Sequence, residues 1–473
     1  MRGPLALGFS QQRSRPVNAA RVVNLYAEAA PEGSRTKVVL YGTPGQKEWG
    51  TIGGDRIRAG LEAQGYAYIL SGATLYRVDE DMMATPCAGD LIPNTGAATL
   101  INNGTQIGLL VVPDMFVIVG TTITKVISAG YPAEGFSSIS YIDGYAVGTR
   151  NDGSGQFYLS GLLDFSTFDA LDFASAESSP DGLIGVLVDH RECWLFGTDT
   201  VEVWVNTGAS PFPLERVPGA LLERGCAAAL SPAKMDNSVF WLGNDRIIYR
   251  AEGYQPARIS THAIEEILRT GTVSDAYGMT YFMGGHHFYV ITLPSLNRTF
   301  CFDPAASAVA GIPIWHERQT GTSLTPAIWD VQCIFAAFGK TLVGLQAGNV
   351  AELDLDTYDD LGSPIRRVIV GLPFFAEGRR AIMQDFEIEC ELGVGISTGQ
   401  GSDPELMMRY TDDGGSTWSN ERRASLGLMG VRLIRAMWRR LGSFRQRTVE
   451  ISLSDPVKAA FYGMRTEIKP LSR

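Results

Sequence analysis

The chain has 473 residues and a formal net charge of −11, from 40 Lys+Arg against 51 Asp+Glu. A length of this order provides for about two to four domains, and 45% apolar with 19% charged residues excludes wholesale disorder. The 53 glycines exceed the usual ~7% share and favour tight turns over long helices, and the acidic average argues against a free-standing DNA binder, which carries a basic face.

No stretch approaches the ~18 apolar residues of a membrane helix. The richest, Leu109–Val112 and Met115–Val119, are separated by Pro113 and Asp114, so no membrane insertion by this chain is expected. The N-terminus turns polar after Phe9, too soon for a secretion signal. Cysteines 87, 193, 226, 301, 333 and 390 form no CxxC and read as reduced core thiols of a protein made in a reducing cytoplasm.

In chain order, residues 1–50 lack a clear period and resemble an extended docking arm, with Arg13-Ser14-Arg15-Pro16 suited to lying on a partner. From 51 to 360, short β-branched and aromatic runs recur between Gly, Asp and Asn turns. Markers Tyr145, Trp194, Trp241, Phe288 and Val343 are spaced 49, 47, 47 and 55 residues apart, against roughly 40–50 for a four-stranded propeller blade. The expectation is an all-β, propeller-like body of six or seven blades, with a β-sandwich array as competitor. One helix is predicted, capped by Thr261, with Ile264, Ile267 and Leu268 on one face and Gly271 after its last turn. A turn-rich joint at Tyr358–Pro364 opens a C-terminal antiparallel β domain, 361–473. There Phe386, Ile388 and Cys390 alternate with Glu387, Glu389 and Glu391, as in a strand with one wet face.

Charge is uneven. Residues 421–447 hold Arg422, Arg423, Arg432, Arg435, Arg439, Arg440, Arg445 and Arg447 against one Glu and no Lys, so this stretch is +7 and the remainder −18. Arginine with Trp438 and Phe444 interleaved suits recognition of phosphate or carboxylate. Contact with nucleic acid in a channel and a protein interface meeting the acidic bulk of a neighbour both remain open.

No catalytic, cofactor-binding or metal-binding constellation emerges. Gly395-Ile396-Ser397-Thr398-Gly399 fits G-x-S-x-G, but Gln400–Pro404 cannot start the helix that a nucleophile elbow needs. Gly339-Lys340-Thr341 lacks the earlier glycine of a phosphate loop, its place being Ile334. Asp354, Asp356, Asp359 and Asp360 lack the bidentate Glu of a calcium loop, position 365 being Ile, and read as a solvated turn. His286 and His287 are adjacent and point to opposite faces of a strand. The crisp local motif is Thr411-x-Asp413-x-Gly415-x-Thr417-Trp418, an Asp-box. In it the Asp413 carboxylate accepts turn amides, Gly415 supplies a positive φ and Trp418 plugs the adjacent core. Asp-boxes are familiar from sialidase propellers, where they lie away from the active site.

The order of several segments carries a resemblance. Val23-Asn24-Leu25-Tyr26 and Leu40–Gly45 are followed by Ser138–Gly144, Gly155–Tyr158 and Leu171–Asp181. Then come Trp241-Leu242-Gly243, Glu252-Gly253-Tyr254, Arg258–His262 and Trp315–Arg318. The Asp-box, Trp438–Gly442 and Ser454–Val457 close the series. It resembles the tail hub, or nozzle, family of short-tailed bacteriophages, also called packaged-DNA stabilisation proteins. That resemblance implies a non-enzymatic virion protein, without cofactor, in a homohexameric ring below the portal and its adaptor. The ring would continue the DNA channel, retain the packaged genome, touch duplex DNA transiently, and anchor tail spikes or fibres and a needle or plug. The alternatives are a propeller glycosidase acting on host surface glycans, which needs a carboxylate pair or an Arg cluster with a nucleophilic Tyr at one pocket, and a monomeric glycan- or protein-binding propeller.

Overall fold

The computed structural model describes residues 2–3, 5–176, 181–376 and 378–471; part of the Leu171–Asp181 segment, residues 177–180, lies outside them. Seven antiparallel sheets stand in a ring. Six of them open on Ile57–Ala63, Ala98–Asn102, Phe136–Ile142, Leu183–Asp189, Ala233–Met235 and Tyr277–Met283, and the seventh on Val331–Ala337. These innermost strands contact one another in succession and the last returns to the first, which defines a seven-bladed propeller. The markers Tyr145, Trp194, Trp241, Phe288 and Val343 all fall on the second strand of their blades. Second strands are apolar on both faces because neighbouring blades cover both; Ser238–Leu242 is buried at every position. The period is therefore carried by burial and not by repeated letters.

The segment that reads as an arm is, from Arg21 onward, woven into the sheets. Gly45–Thr51 is the outer strand of the seventh blade, antiparallel to Asn349–Asp354 with Gly45 opposite Asp354 and Thr51 opposite Asn349. The ring is thereby closed by joining its two chain ends. Leu25–Ala29 and Val38–Gly42 form a hairpin that pairs with Ala460–Pro470 in the C-terminal domain. Arg21–Val23 lies between the two domains, parallel to Trp315–Glu317 and antiparallel to Arg367–Val370. These strands show no period because they serve three different sheets.

The C-terminal domain is a sandwich. Its first sheet runs Leu25–Ala29, Val38–Gly42, Ala460–Pro470, Ala381–Cys390, Met437–Arg439. Its second runs Arg21–Val23, Arg367–Val370, Gln446–Leu453, Glu405–Thr411, Arg422–Ser425, and through Arg21–Val23 it is continuous with the sixth blade. The core between them holds Val22, Leu40, Met383, Phe386, Ile388, Met408, Trp438, Ile451 and Phe461. The outer face of Ala381–Cys390 is drier than its sequence implies: Glu389 is buried, salt-bridged at 2.8 Å to Arg35 and 2.6 Å to Arg465. The predicted helix is α1 (His262–Leu268), with the Thr261 hydroxyl accepting the Ile264 amide. Among the described residues no helix is long and apolar enough to cross a membrane, and all six cysteines are free.

Candidate functional site

The arginine stretch forms the outer edge of the sandwich. Arg422–Ser425 ends one sheet and Met437–Arg439 ends the other, so both sheets leave an edge strand on the same side. The two are laced together: the Trp438 indole donates to the Arg422 carbonyl at 2.9 Å, and the Arg422 guanidinium donates to the Arg439 carbonyl at 2.8 Å. Trp438 itself is buried against Phe386, which explains why an aromatic residue stands among arginines. An open groove of about 830 Å3 runs along this edge, lined by Arg422, Arg423, Arg435, Met437, Arg439 and Arg440.

Arg423 pairs with Glu405 at 3.0 Å and Arg435 bidentately with Glu387, at 2.8 Å for its Nε contact. Arg432, Arg439, Arg440 and Arg445 are exposed, and no described carboxylate lies within ion-pair distance of them. Arg440 departs from the strand with φ 58°, so Arg439 and Arg440 diverge at the rim. Arg447 is a correction to the surface candidates. It is 1% exposed, forks onto Asp412 with two 2.7 Å bonds, donates to the Leu441 carbonyl at 2.7 Å and lies over the Tyr410 and Phe444 rings. Its side chain is enclosed because Gln446–Leu453 is a central strand, although its partner Asp412 reaches solvent.

The Asp-box is the turn after Glu405–Thr411. One Asp413 oxygen accepts the amides of Ser416 and Thr417 at 2.9 Å each, while the other accepts the Thr417 hydroxyl at 2.6 Å. Those donors stabilise the charged form and hold the Asp413 carboxyl well below the usual carboxylate range. The Thr411 hydroxyl bonds to Asp413 and accepts the Gly415 amide at 2.9 Å, and Gly415 has φ 94°. Trp418 is half-buried against Val23 and Val368 and carries the Arg409 guanidinium 4.6 Å above its ring. Arg409 and Arg366 share Glu450, with bonds of 2.8 and 2.9 Å. Across the shared sheet, Glu317 likewise takes Arg21 at 2.8 Å and Arg298. A ladder of alternating charge thus ties the Asp-box turn to the sixth blade, and every carboxylate in it is spent on structure.

A second polar group sits at the joint of the two domains. Arg318 lies 3.8 Å over Trp329 and reaches the Pro44 carbonyl at 3.2 Å; Arg367 reaches the Tyr358 carbonyl at 3.1 Å. Burial pushes Asp360 up to about 6, although Arg318 and Arg367 oppose it, and burial draws Arg367 down to about 10. Asp360 therefore leaves the solvated turn expected for its neighbours: Asp354 and Asp359 accept local amides, whereas Asp360 is buried opposite Gln46. Nothing in the local sequence signals this, because the burying strand is 314 positions away (residues 46 and 360). Burial also draws the neighbouring His316 down to about 3.

The remaining motifs resolve into structure. Residues 391–404 around Ser397 are irregular, with no helix following. Phe338 and Gly339, with φ 54° and 71°, form the two-residue turn of a hairpin. His286 bonds Asp303 at 2.7 Å while His287 packs on Phe282. Among the described residues no three His, Cys, Asp or Glu side chains converge as metal ligands. The propeller axis holds a cavity of about 400 Å3 whose charged lining residues are Arg56 and Arg58; no carboxylate lines it.

A seven-bladed propeller fused through a shared sheet to a two-layer sandwich defines the architectural class. The chain belongs to the bacteriophage P22 Gp10 family: that family's β-propeller model matches residues 1–358 and its β-sandwich model residues 366–469. That family includes a phage tail hub protein. The tail hub protein gp10 of Salmonella phage P22 is 24% identical over 306 residues, a match covering 62% of this chain and 62% of that relative. Among solved structures, virginiamycin B lyase of Staphylococcus aureus has a TM-score of 0.44 at 11% identity, covering 65% of this chain and 98% of that one. The extracellular domain of BT4673 from B. thetaiotaomicron also scores 0.44, at 9% identity over 85% of this chain and 58% of that one. Likenesses at that level carry no functional argument.

Proposed function

We propose that this chain assembles as a homohexameric ring beneath the portal and its adaptor, extends the DNA channel, retains the packaged genome, and offers attachment surfaces to tail spikes or fibres and to a needle or plug. The match of both domains, in order, to one tail hub family carries this reading. Supporting it, the propeller axis has room for a small molecule and not for a duplex, as a conduit running along the ring axis requires. The acidity of the chain outside the arginine stretch suits a wall along which DNA slides. A glycosidase would need a carboxylate pair, or an arginine cluster with a nucleophilic Tyr, facing a pocket. The axial cavity is lined by no carboxylate, and its Tyr277 hydroxyl and Arg58 guanidinium donate to backbone carbonyls, of Val331 at 3.1 Å and of Gly72 at 2.8 Å; purified chain is expected to hydrolyse neither sialosides nor other glycans. The deciding experiment is cryo-EM of the purified chain with its portal–adaptor complex. Six-fold density below the adaptor is expected, and three- or twelve-fold symmetry, or no binding, refutes the proposal.

A further inference from the structure

The loop joining the two edge strands, residues 426–436, is a prominent apolar exposure of the sandwich. Leu428, Met429, Val431 and Leu433 are all exposed, Leu433 completely. They lie in sequence between Arg423 and Arg435, with Arg432 among them. Four large apolar side chains together in water are costly to leave uncovered. A phosphodiester backbone would satisfy the arginines and leave the apolar loop wet. Arginine around an apolar centre is instead the composition of a protein interface, and the partner must bring carboxylates together with apolar side chains.

This chain carries such a surface elsewhere. The rim of the first blade and the adjoining edge of the second, residues 78–91, has Asp79, Glu80, Asp81 and Asp90 and no Lys or Arg. Asp79 and Asp90 accept the backbone amides of Met83 and Lys125 at 2.8 and 2.6 Å. Glu80 and Asp81 are exposed, beside exposed Met82, Met83 and Leu91. The arginine edge is the far end of the shared sheet, five strands beyond the sixth blade, or ~24 Å at ~4.8 Å per strand. The basic end and the acidic rim thus occupy different parts of one molecule.

We propose that the sandwich edge formed by Arg422–Arg440 docks a second copy of this chain through the acidic, methionine-bearing rim of that copy's first blade. The contact joins two different surfaces, which generates a closed ring when the rotation closes. The proposal rests on the ring reading above and names the surfaces that build it.

The test uses full-length chain on portal–adaptor complexes, followed by negative-stain imaging and sedimentation. Arg432→Glu with Arg439→Glu, and separately Glu80→Arg with Asp81→Arg, alter exposed side chains for which no ion pair is seen among the described residues. Each pair should keep the wild-type melting temperature and weaken subunit association about 100-fold, since like charges then face each other. Mixing the two variants should restore mixed association through the doubly reversed contact. Oxidising a mixture of Glu80→Cys and Leu433→Cys chains should give a linked heterodimer. If wild type forms no ring, the ring reading falls and this proposal with it. If wild type and both variants form rings equally, the ring stands and this surface is wrong. Rings that form normally but fail to hold DNA or the adaptor would make the edge a DNA or adaptor site and overturn the proposal. Loss in each variant without restoration on mixing, and without cross-linking, would overturn the pairing of these two surfaces.

Discussion

Arg445 and Arg447 stand two residues apart in the same basic run, and the structure gives them opposite roles. Replacing Arg447 by Ala removes the fork onto Asp412 and the bond to the Leu441 carbonyl. It also removes the layer between the Tyr410 and Phe444 rings. Asp412 is 41% exposed, so water recovers much of its side of the pair and the charge contribution is discounted. The Leu441 carbonyl is less fortunate: an unpaired buried acceptor costs about 1–3 kcal/mol. Losing cation–ring contact in a desolvated site costs about 1–2 kcal/mol more, and the void left by the side chain adds to that. The expected total is about 3–5 kcal/mol. Arg447→Lys should recover only part of it, because an ammonium cannot make the planar fork. Arg445→Ala, at an exposed position, should stay within ~0.5 kcal/mol of wild type. Urea unfolding followed by tryptophan fluorescence reads both through their midpoints. A difference of less than ~1 kcal/mol between the two alanine variants would refute the assignment of Arg447 to the core.

Four further outcomes follow from the geometry. Asp360 titrates near 6 when folded, above its unfolded value, so its charge costs stability above that pH and the cost is relieved as pH falls from about 6 to 4. Asp360→Asn should lose stability more steeply than wild type over that window, by up to about 3 kcal/mol, in melting temperatures taken from pH 7 to 4; parallel curves would contradict it. His316 acts in the opposite sense, since its folded value near 3 lets the unfolded chain take a proton first, and its stabilisation fades as pH falls below about 6.5. A β-carbon at Gly45 would strike the Thr357 and Asp359 carbonyl oxygens. Gly45→Val should therefore destabilise the closed ring by about 1–3 kcal/mol and speed hydrogen exchange in Asn349–Asp354. Asp413→Ala should open the 411–418 turn to proteolysis while Asp413→Asn protects it partly, since the amide oxygen still accepts the Ser416 and Thr417 amides.

The blades were legible because a second strand covered on both faces must be apolar along its length, and Trp194, Trp241 and Phe288 mark that requirement at near-constant spacing. The Asp-box was legible because its turn is satisfied by residues within a few positions of one another. The role of Gly45–Thr51 was not, because a strand whose partner is 300 residues away carries no local trace of it (positions 51 and 349 are paired). The same distance hid Asp360, which reads as one carboxylate in a polar run until Gln46 and Arg367 close over it. Arginine content pointed to the sandwich edge, but only strand order separates Arg447 at its centre from Arg439 at its rim.

The joining of Gly45–Thr51 to Asn349–Asp354 bears on how the chain comes into being. On the ribosome the first 51 residues emerge without any of their long-range partners, and the last blade cannot be completed until residue 354 is out. The hairpin Leu25–Gly42 waits longer still, for Ala460–Pro470. Six blades can collapse in order while these strands stay exposed, which makes early unpaired strands a period of aggregation risk. Non-local pairing of this kind is slow. Cutting the gene at the domain joint would yield a sandwich without Leu25–Ala29 and Val38–Gly42 and a propeller fragment carrying them as loose ends. The two domains are separable in architecture and inseparable in synthesis.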